Sequence, residues 1–354
     1  MRDRPGVSLG GGCVTSASIL IDGNPGEVHV GRHLLQAAQE AGIRATLCDT
    51  TAAYAGSKVQ RTYSWRLRGH RPANLAAFSR QVVTACRDHN PSWIIATGLA
   101  PVDAESLRAI GEVGVRRVNF LTDDPWNRAH YAPWFMEAVT EYDTVFTPRT
   151  ANVDDLRALG CRQVTYLPFA YAPDIHFSDP PATTNERLHF DSDVVFVGGA
   201  DPDRVEWMAP LISAGFRVAL YGGYWERHSQ TRRAARGMAD AATVRKAIGG
   251  GATTLCLVRR ANRDGHSMRS FEVPAIGACM LVEDTAEHRE IFGDSRNAVD
   301  YVNSPEDAVQ RVRVLLRDRC ERDRLTRSAH ALIASGHHTW SDRLKTMLED
   351  GRPW

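Results

Sequence analysis

The chain has 354 residues, 43% of them hydrophobic and 24% charged, with a net charge of +1. That length is long for one core and suits two domains of ordinary size, and the composition excludes a disordered or fibrous class. The balanced charge argues against an obligatory nucleic-acid partner, although the basic residues are almost all arginine, with lysine only at Lys58, Lys246 and Lys345.

Short apolar runs alternate with helix-like stretches along the first half. Strands are expected at residues 45–48, 93–97, 117–121, 144–147 and 163–167. Helices are expected at 29–41, 74–88, 104–113 and 152–159, the last stopped by Gly160. Strand, helix, strand in sequence means a parallel sheet with right-handed crossovers, and such sheets bind ligands beyond the carboxyl ends of their strands. Around residues 177–190 the texture becomes polar, with two prolines and no period, as in an interdomain linker. The alternation then restarts, with strands at 193–198, 216–221, 253–258, 279–282 and 298–302 and helices at 202–214, 239–248, after Ser267 and at 305–319.

The expected organisation is two doubly wound Rossmann-like α/β domains facing across a cleft. The first spans 1–176, the linker 177–190 and the second 191–336, while a terminal helix at 337–354 crosses back onto the first. Seven scattered cysteines without a CxxC pair read as reduced thiols in a cytoplasmic protein and disfavour a zinc site. No run approaches the roughly 18 apolar residues of a membrane span, and the N-terminal residues lack an apolar signal core.

Chemistry concentrates at Asp264-Gly-His-Ser-Met-Arg-Ser-Phe-Glu272, which runs into Val273-Pro-Ala-Ile-Gly277. A glycine turn exposes backbone N–H groups, and the helix that follows turns its positive dipole end toward an anion such as a diphosphate. Glu272 is placed to accept two hydrogen bonds from a ribose diol and Asp264 to meet a sugar hydroxyl. His266 lies inside the motif, poised toward a phosphate oxygen or a leaving diphosphate. Arg269, three residues before Glu272, serves either phosphate or a helical salt bridge to that acid. Gly198 and Gly199 follow a strand and precede a helix, where glycine lets backbone approach phosphate. Tyr221 ends the next strand and offers ring area to a nucleobase, or else packs in an ordinary turn. Asp123 and Asp124 end an apolar strand at the carboxyl edge of the first sheet. One of them is expected to orient a sugar or act as a base, the alternative being a helix cap. Glu287 and Glu290 read as helix acids near the donor side. His337 and His338, adjacent on a terminal helix, do not readily face one metal ion.

The stretches from Asp193-Val-Val-Phe-Val-Gly198 through Arg269-Ser-Phe-Glu272 to His337-His-Thr-Trp-Ser-Asp-Arg343, with Asp123-Asp-Pro-Trp126 and Thr165-Tyr-Leu-Pro-Phe-Ala-Tyr171, resemble the CgeB-type branch of GT-B glycosyltransferases. The likeness covers most of the chain beyond residue 90. Before that, Gly10-Gly-Gly12 would stand as the glycine-rich loop. The resemblance implies transfer of a sugar from a nucleotide-diphosphate donor to a hydroxyl-bearing acceptor, with retention, and with no metal or cofactor beyond the donor co-substrate. The family's Glu-x7-Glu pair is matched by Asp264 and Glu272, the first acid one methylene shorter. The family's diphosphate-binding lysine is absent, so Arg204 takes that role, with Arg259, Arg260 or Arg269 as helpers. Two alternatives stand beside this reading: a nucleotide-sugar 2-epimerase on the same fold, and a non-catalytic nucleotide- or sugar-binding protein. The donor base and sugar, the acceptor and the oligomeric state are not written in the sequence.

Overall fold

A computed structural model describes residues 18–349. The first half contains β1 (Ser18–Gly23), α1 (Val30–Glu40), β2 (Arg44–Asp49), α2 (Lys58–Leu67), α3 (Leu75–His89), β3 (Trp93–Thr97) and α4 (Ala104–Glu112). It continues with β4 (Arg116–Phe120), α5 (Pro133–Ala138), β5 (Thr144–Thr147), α6 (Thr150–Leu159) and β6 (Val164–Tyr166). After α7 (Thr184–Phe190) come β7 (Ser192–Val197), α8 (Pro202–Ser213), β8 (Val218–Tyr221), β9 (Ala235–Gly237), α9 (Ala241–Gly250), β10 (Gly251–Cys256) and α10 (Arg269–Ile276). The chain then adds β11 (Met280–Glu283), α11 (Ala286–Phe292), β12 (Asp300–Val302), α12 (Pro305–Arg317), α13 (Arg319–Ser335) and α14 (Trp340–Leu348).

The strands form two six-stranded parallel sheets, ordered β2-β1-β3-β4-β5-β6 and β12-β11-β10-β7-β8-β9. The expected α/β fold of two doubly wound sheets is therefore present. Burial on both faces explains the continuous apolar runs: every residue of β1 and β5 is buried, as parallel strands sandwiched between helices require. Each sheet has one point where strand order reverses, between β1 and β3 in the first and between β7 and β10 in the second, and these are where ligands settle.

Several elements depart from the expectations, among them α5, β9 and the long α13, which no expected strand or helix covers. β1 escaped the sequence reading, although its Ser-Ile-Leu-Ile-Asp-Gly run is fully buried. The segment expected as a periodless linker contains α7, started by a reciprocal capping box between Thr183 and Glu186. α2, also unforeseen, is opened by a Ser57 and Gln60 capping box and buries only Ser64.

α14 packs on α1 and is held by backbone hydrogen bonds on either side of Tyr171, from Tyr171 N to His338 O (3.0 Å) and from Trp340 N to Tyr171 O (3.1 Å). Arg343 adds donations to the carbonyls of Pro168 (2.8 Å), Phe169 (2.9 Å) and His337 (3.0 Å). The carboxyl edges of the two sheets face each other. Arg263 reaches Asp124, Arg149 reaches Asp264, and Asn127 donates to Asn262 (2.6 Å) across the seam.

Candidate functional site

At the second reversal point, β7 ends in Gly198-Gly199 and β8 in a turn through Gly222, whose φ is 133°. A Cβ at Gly222 would overlap the Gly198 carbonyl, so glycine is required for these two turns to touch. Trp225 Nε1 donates to Gly198 O at 2.8 Å and its ring packs on Phe196, fixing the turn from below.

Three guanidinium groups surround that turn. Arg204 donates to Gly199 O (3.0 Å) and Arg269 Nε to Val197 O (3.4 Å), while Arg259 follows β10 and lies 3.6 Å from Asp201. Burial holds the Arg269 pKa down to about 10, with Arg204 adding repulsion; burial and then Arg259 lower Arg204. Arg204 Nε sits 3.6 Å from Asp201 and makes no hydrogen bond among the described residues. Crowded, partly unsatisfied cations are the charge pattern that an anionic ligand relieves.

Tyr221, expected to offer a ring to a base, is 4% exposed and belongs to the core beneath β8. The inward phase of the strand puts it there. Tyr224, three residues on and 53% exposed, is the ring that this edge presents.

The acidic pair is also more committed than its spacing implied. Asp264 Oδ1 accepts from Arg149 Nε at 2.5 Å and Oδ2 from the Arg259 amide at 3.3 Å. Burial raises the Asp264 pKa and Arg149 opposes the rise. Glu272 is 2% exposed; Oε2 accepts from Arg269, and Oε1 lies 3.4 Å from His176 Nε2. The Ala172 amide donates to His176 Nδ1 (3.0 Å), so Nε2 carries the proton that faces Glu272. Burial pushes the His176 pKa down to about 3, making this a neutral contact rather than an ion pair. Arg269 thus covers the acid expected to hold a ribose.

His266 does not face the cleft. Its Nε2 accepts from the Phe169 amide (3.2 Å), leaving Nδ1–H to donate to Glu287 Oε2 (2.6 Å). Glu287 Oε1 in turn accepts from the amide and hydroxyl of Thr150 at 3.0 and 2.6 Å. The expected phosphate contact of His266 is replaced by a link between the two carboxyl edges, because both ring nitrogens are occupied. Burial acts to raise Glu287, and the His266 and Thr150 hydrogen bonds outweigh it, giving a net lowering. Arg260 lies outside this group, 3.4 Å from Glu283, and Glu290 is exposed on α11.

The first reversal point opens into a cavity of about 430 Å³. Asn24, His29 and Gly31 line it from the β1–α1 connection, Thr97 and Gly98 from the end of β3, and Thr122 and Asp123 from the end of β4, with Met268 reaching in from the other sheet. The glycines at Gly23 and Gly31 bring the loop and the start of α1 together: a Cβ on Gly31 would lie 2.9 Å from Asn24 O. Gly10-Gly-Gly12, expected as the glycine-rich loop, lies outside the described residues. The Ile-Asp-Gly-Asn-Pro-Gly run at 21–26, after an apolar stretch, was the signal for the loop seen here.

The aspartate pair divides. Asp123 is half-buried, accepts from Thr122 Oγ1 (3.2 Å) and faces the cavity. Asp124 is fully buried and accepts from Arg263 (2.5 and 3.0 Å) and from the Trp126 amide (3.0 Å). Just behind the cavity, Asp22 is fully buried with neither carboxylate oxygen hydrogen-bonded, and burial raises its pKa to about 8. No group of three or more metal-ligating side chains occurs among the described residues. Their cysteines are all free and, apart from Cys320, buried.

Residues 204–349 match a family model described as glycosyl transferase-like. No curated protein sequence matches the chain. Among solved structures, sucrose-phosphate synthase from Thermosynechococcus elongatus is similar at 11% identity and TM-score 0.64, covering 94% of this chain and 98% of that one. HepE from Anabaena, in complex with UDP-glucose, is similar at 12% identity and TM-score 0.64, with 94% and 99% covered. A Listeria monocytogenes protein assigned as a UDP-N-acetylglucosamine 2-epimerase is similar at 15% identity and TM-score 0.53, with 96% and 98% covered. The architecture is the GT-B fold these glycosyltransferase structures share. No helix among the described residues is long and apolar enough to cross a membrane.

Proposed function

We propose that the chain is a glycosyltransferase that moves a sugar from a nucleotide-diphosphate donor to a hydroxyl-bearing acceptor. The observation that carries this reading is the cluster of Arg204, Arg259 and Arg269 around the Gly198-Gly199 turn, which supplies fixed positive charge at the second reversal point. The glycosyl transferase-like match over 204–349 covers that cluster and supports the reading, as does the UDP-glucose bound by HepE.

The proposed division of labour places the donor on the unit from 191 to 336 and the acceptor in the cavity of the unit ending near 176, joined through 177–190, with the terminal segment returning to the first unit. Asp123 is the acid positioned to take a proton from, or orient, an acceptor hydroxyl. Asp264 holds Arg149 at the seam, and Glu272 meets the ribose once Arg269 has exchanged it for phosphate. A leaving diphosphate is stabilised by the arginines as an oxocarbenium-like sugar forms, without a metal or covalent nucleophile, and with retention as the CgeB-type resemblance implies.

The test is thermal denaturation with nucleoside diphosphates and their sugars, using the full chain and Arg269→Gln. A ligand at a hundred times its Kd adds about 2.7 kcal/mol of apparent stability. The reading expects a rise in Tm for the parent protein that shrinks in the variant; no rise with any nucleotide overturns it. Isomerisation of a nucleotide sugar in the absence of acceptor would favour the epimerase instead.

A further inference from the structure

The helix α2 is almost free of the body of the protein. Only Ser64 of its ten residues is buried. Val59 is 78% exposed, Tyr63 56% and Leu67 73%. Spaced four apart, these three form one continuous apolar stripe along the helix. Lys58 and Arg66 line the same hollow as the stripe, Arg61 and Arg71 line the hollow on the other side of the helix, Arg68 follows its end, and none of the five has a side-chain partner among the described residues. Residues 50–87 contain no aspartate or glutamate at all. The hollows on either side of the helix are lined without a carboxylate, and the one beyond its C-terminal end adds Arg128 and the exposed ring of Tyr131.

An apolar stripe left in water costs stability, and uncompensated cations repel one another, so the pattern calls for an outside surface that is apolar inside and anionic at its face. A second copy of this chain would set like charge against like charge. A polyanion such as nucleic acid would use the cations and leave Val59, Tyr63 and Leu67 in water. A bilayer carrying anionic lipid satisfies both halves at once.

We propose that α2 is an interfacial anchor that docks this protein on anionic membranes, its stripe entering the boundary between headgroups and acyl chains. The anchor also positions the cavity at the first reversal point. Tyr54 and Trp65 line both that cavity and the basic hollow beside α2, so docking sets the cavity mouth close to the lipid surface. This inference is independent of the donor assignment above, since none of the donor-side arginines takes part.

The experiment is co-sedimentation of the full chain with vesicles of phosphatidylcholine alone and of equimolar phosphatidylcholine and phosphatidylglycerol. Two variants accompany it: Val59→Ser with Leu67→Ser, and Lys58→Ser with Arg66→Ser. Circular dichroism and Tm verify the fold of each, and removing exposed side chains leaves both unchanged. Binding is expected to the anionic vesicles only and to fall with added salt. Each lost cation lowers partitioning roughly fivefold, so the charge variant loses roughly 25-fold. The apolar variant, keeping every cation, loses roughly tenfold or more. No binding to anionic vesicles overturns the proposal. So does binding that the apolar variant retains in full, which would mark the patch as a site for soluble polyanions or an acidic protein.

Discussion

Asp22→Asn is predicted to stabilise the protein, by an amount that grows with pH. Asp22 stands one residue before the end of β1, its carboxyl fully buried with no hydrogen-bond partner for either oxygen among the described residues, and burial raises its pKa from 3.8 to about 8. The folded protein therefore keeps a proton that the unfolded chain gives up above pH 3.8. Stability is lost at about 1.4 kcal/mol per pH unit as pH rises from the unfolded to the folded value, and the loss levels off beyond about pH 8. At pH 7 the accumulated cost is on the order of 4 kcal/mol, and near pH 5 it is under about 2 kcal/mol. An asparagine has the same shape and no proton to lose, so it removes the pH-dependent part.

The opposite trend comes from buried histidines. Burial lowers His33 to about 4, His176 to about 3, and His288 and His338 to about 4. Below their ordinary value the unfolded chain takes up protons the folded one refuses, so stability falls as pH drops. These groups are common to parent and variant and cancel in the difference. Urea unfolding of both proteins at about pH 5, 6, 7 and 8 isolates the Asp22 contribution. A stability gap that stays flat across that range would show that Asp22 does not titrate there and would refute the reasoning.

Asp123→Asn is expected to depress turnover by roughly 10²-fold or more with Tm unchanged, the range for loss of a general base, whereas Asp124→Asn weakens the Arg263 pairing and lowers Tm; the reverse pattern would exchange their roles. Arg204→Ala is expected to weaken nucleoside diphosphate binding by about 1.5–3 kcal/mol, roughly 10- to 150-fold by calorimetry. Gly222→Ala places a Cβ against the Gly198 carbonyl at positive φ, and a loss of more than about 1 kcal/mol in chemical unfolding is expected, with nucleotide affinity falling alongside. Arg149→Met leaves Asp264 buried without its counter-charge, a change that costs about 3–5 kcal/mol in such pairs and is measured by urea titration.

Most of the layout was legible because parallel strands buried on both faces are written as apolar runs, and the runs at 93–97, 144–147 and 193–198 stand almost where β3, β5 and β7 lie. Part of what escaped had local causes. α2 and α7 carry no apolar period facing a core; capping boxes at Ser57 and Thr183 start them. At the site, Asp264 and Glu272 could be singled out from their spacing. Their partners could not: Arg149 lies 115 positions from Asp264 in the chain, and Arg263 lies 139 from Asp124. Pairings across a seam between two sheets depend on how the sheets dock, which no local pattern encodes. Tyr221 misled for a simpler reason, since strand alternation decides which ring points inward, and the exposed one follows after the strand ends.

The seam sorts the candidate residues into two kinds. Asp124, Asp264, His266 and Glu287 are spent holding the carboxyl edges together, through Arg263, Arg149 and Thr150. Asp123 lines the cavity at the first reversal point, and Arg204, Arg259 and Arg269 gather around the Gly198-Gly199 turn at the second. Arg269 belongs partly to both kinds, because its guanidinium covers Glu272 while its side chain remains 32% exposed. On the proposed reading, a diphosphate arriving at the Gly198-Gly199 turn offers Arg269 a doubly charged partner in place of a single carboxylate. The exchange frees Glu272 to accept from a ribose, with His176 Nε2 remaining beside its other oxygen. Phosphate and ribose recognition are then coupled through one arginine. A nucleoside without phosphates leaves Arg269 on Glu272 and finds the ribose site covered, which makes the anion the first requirement of the site and the sugar ring the second.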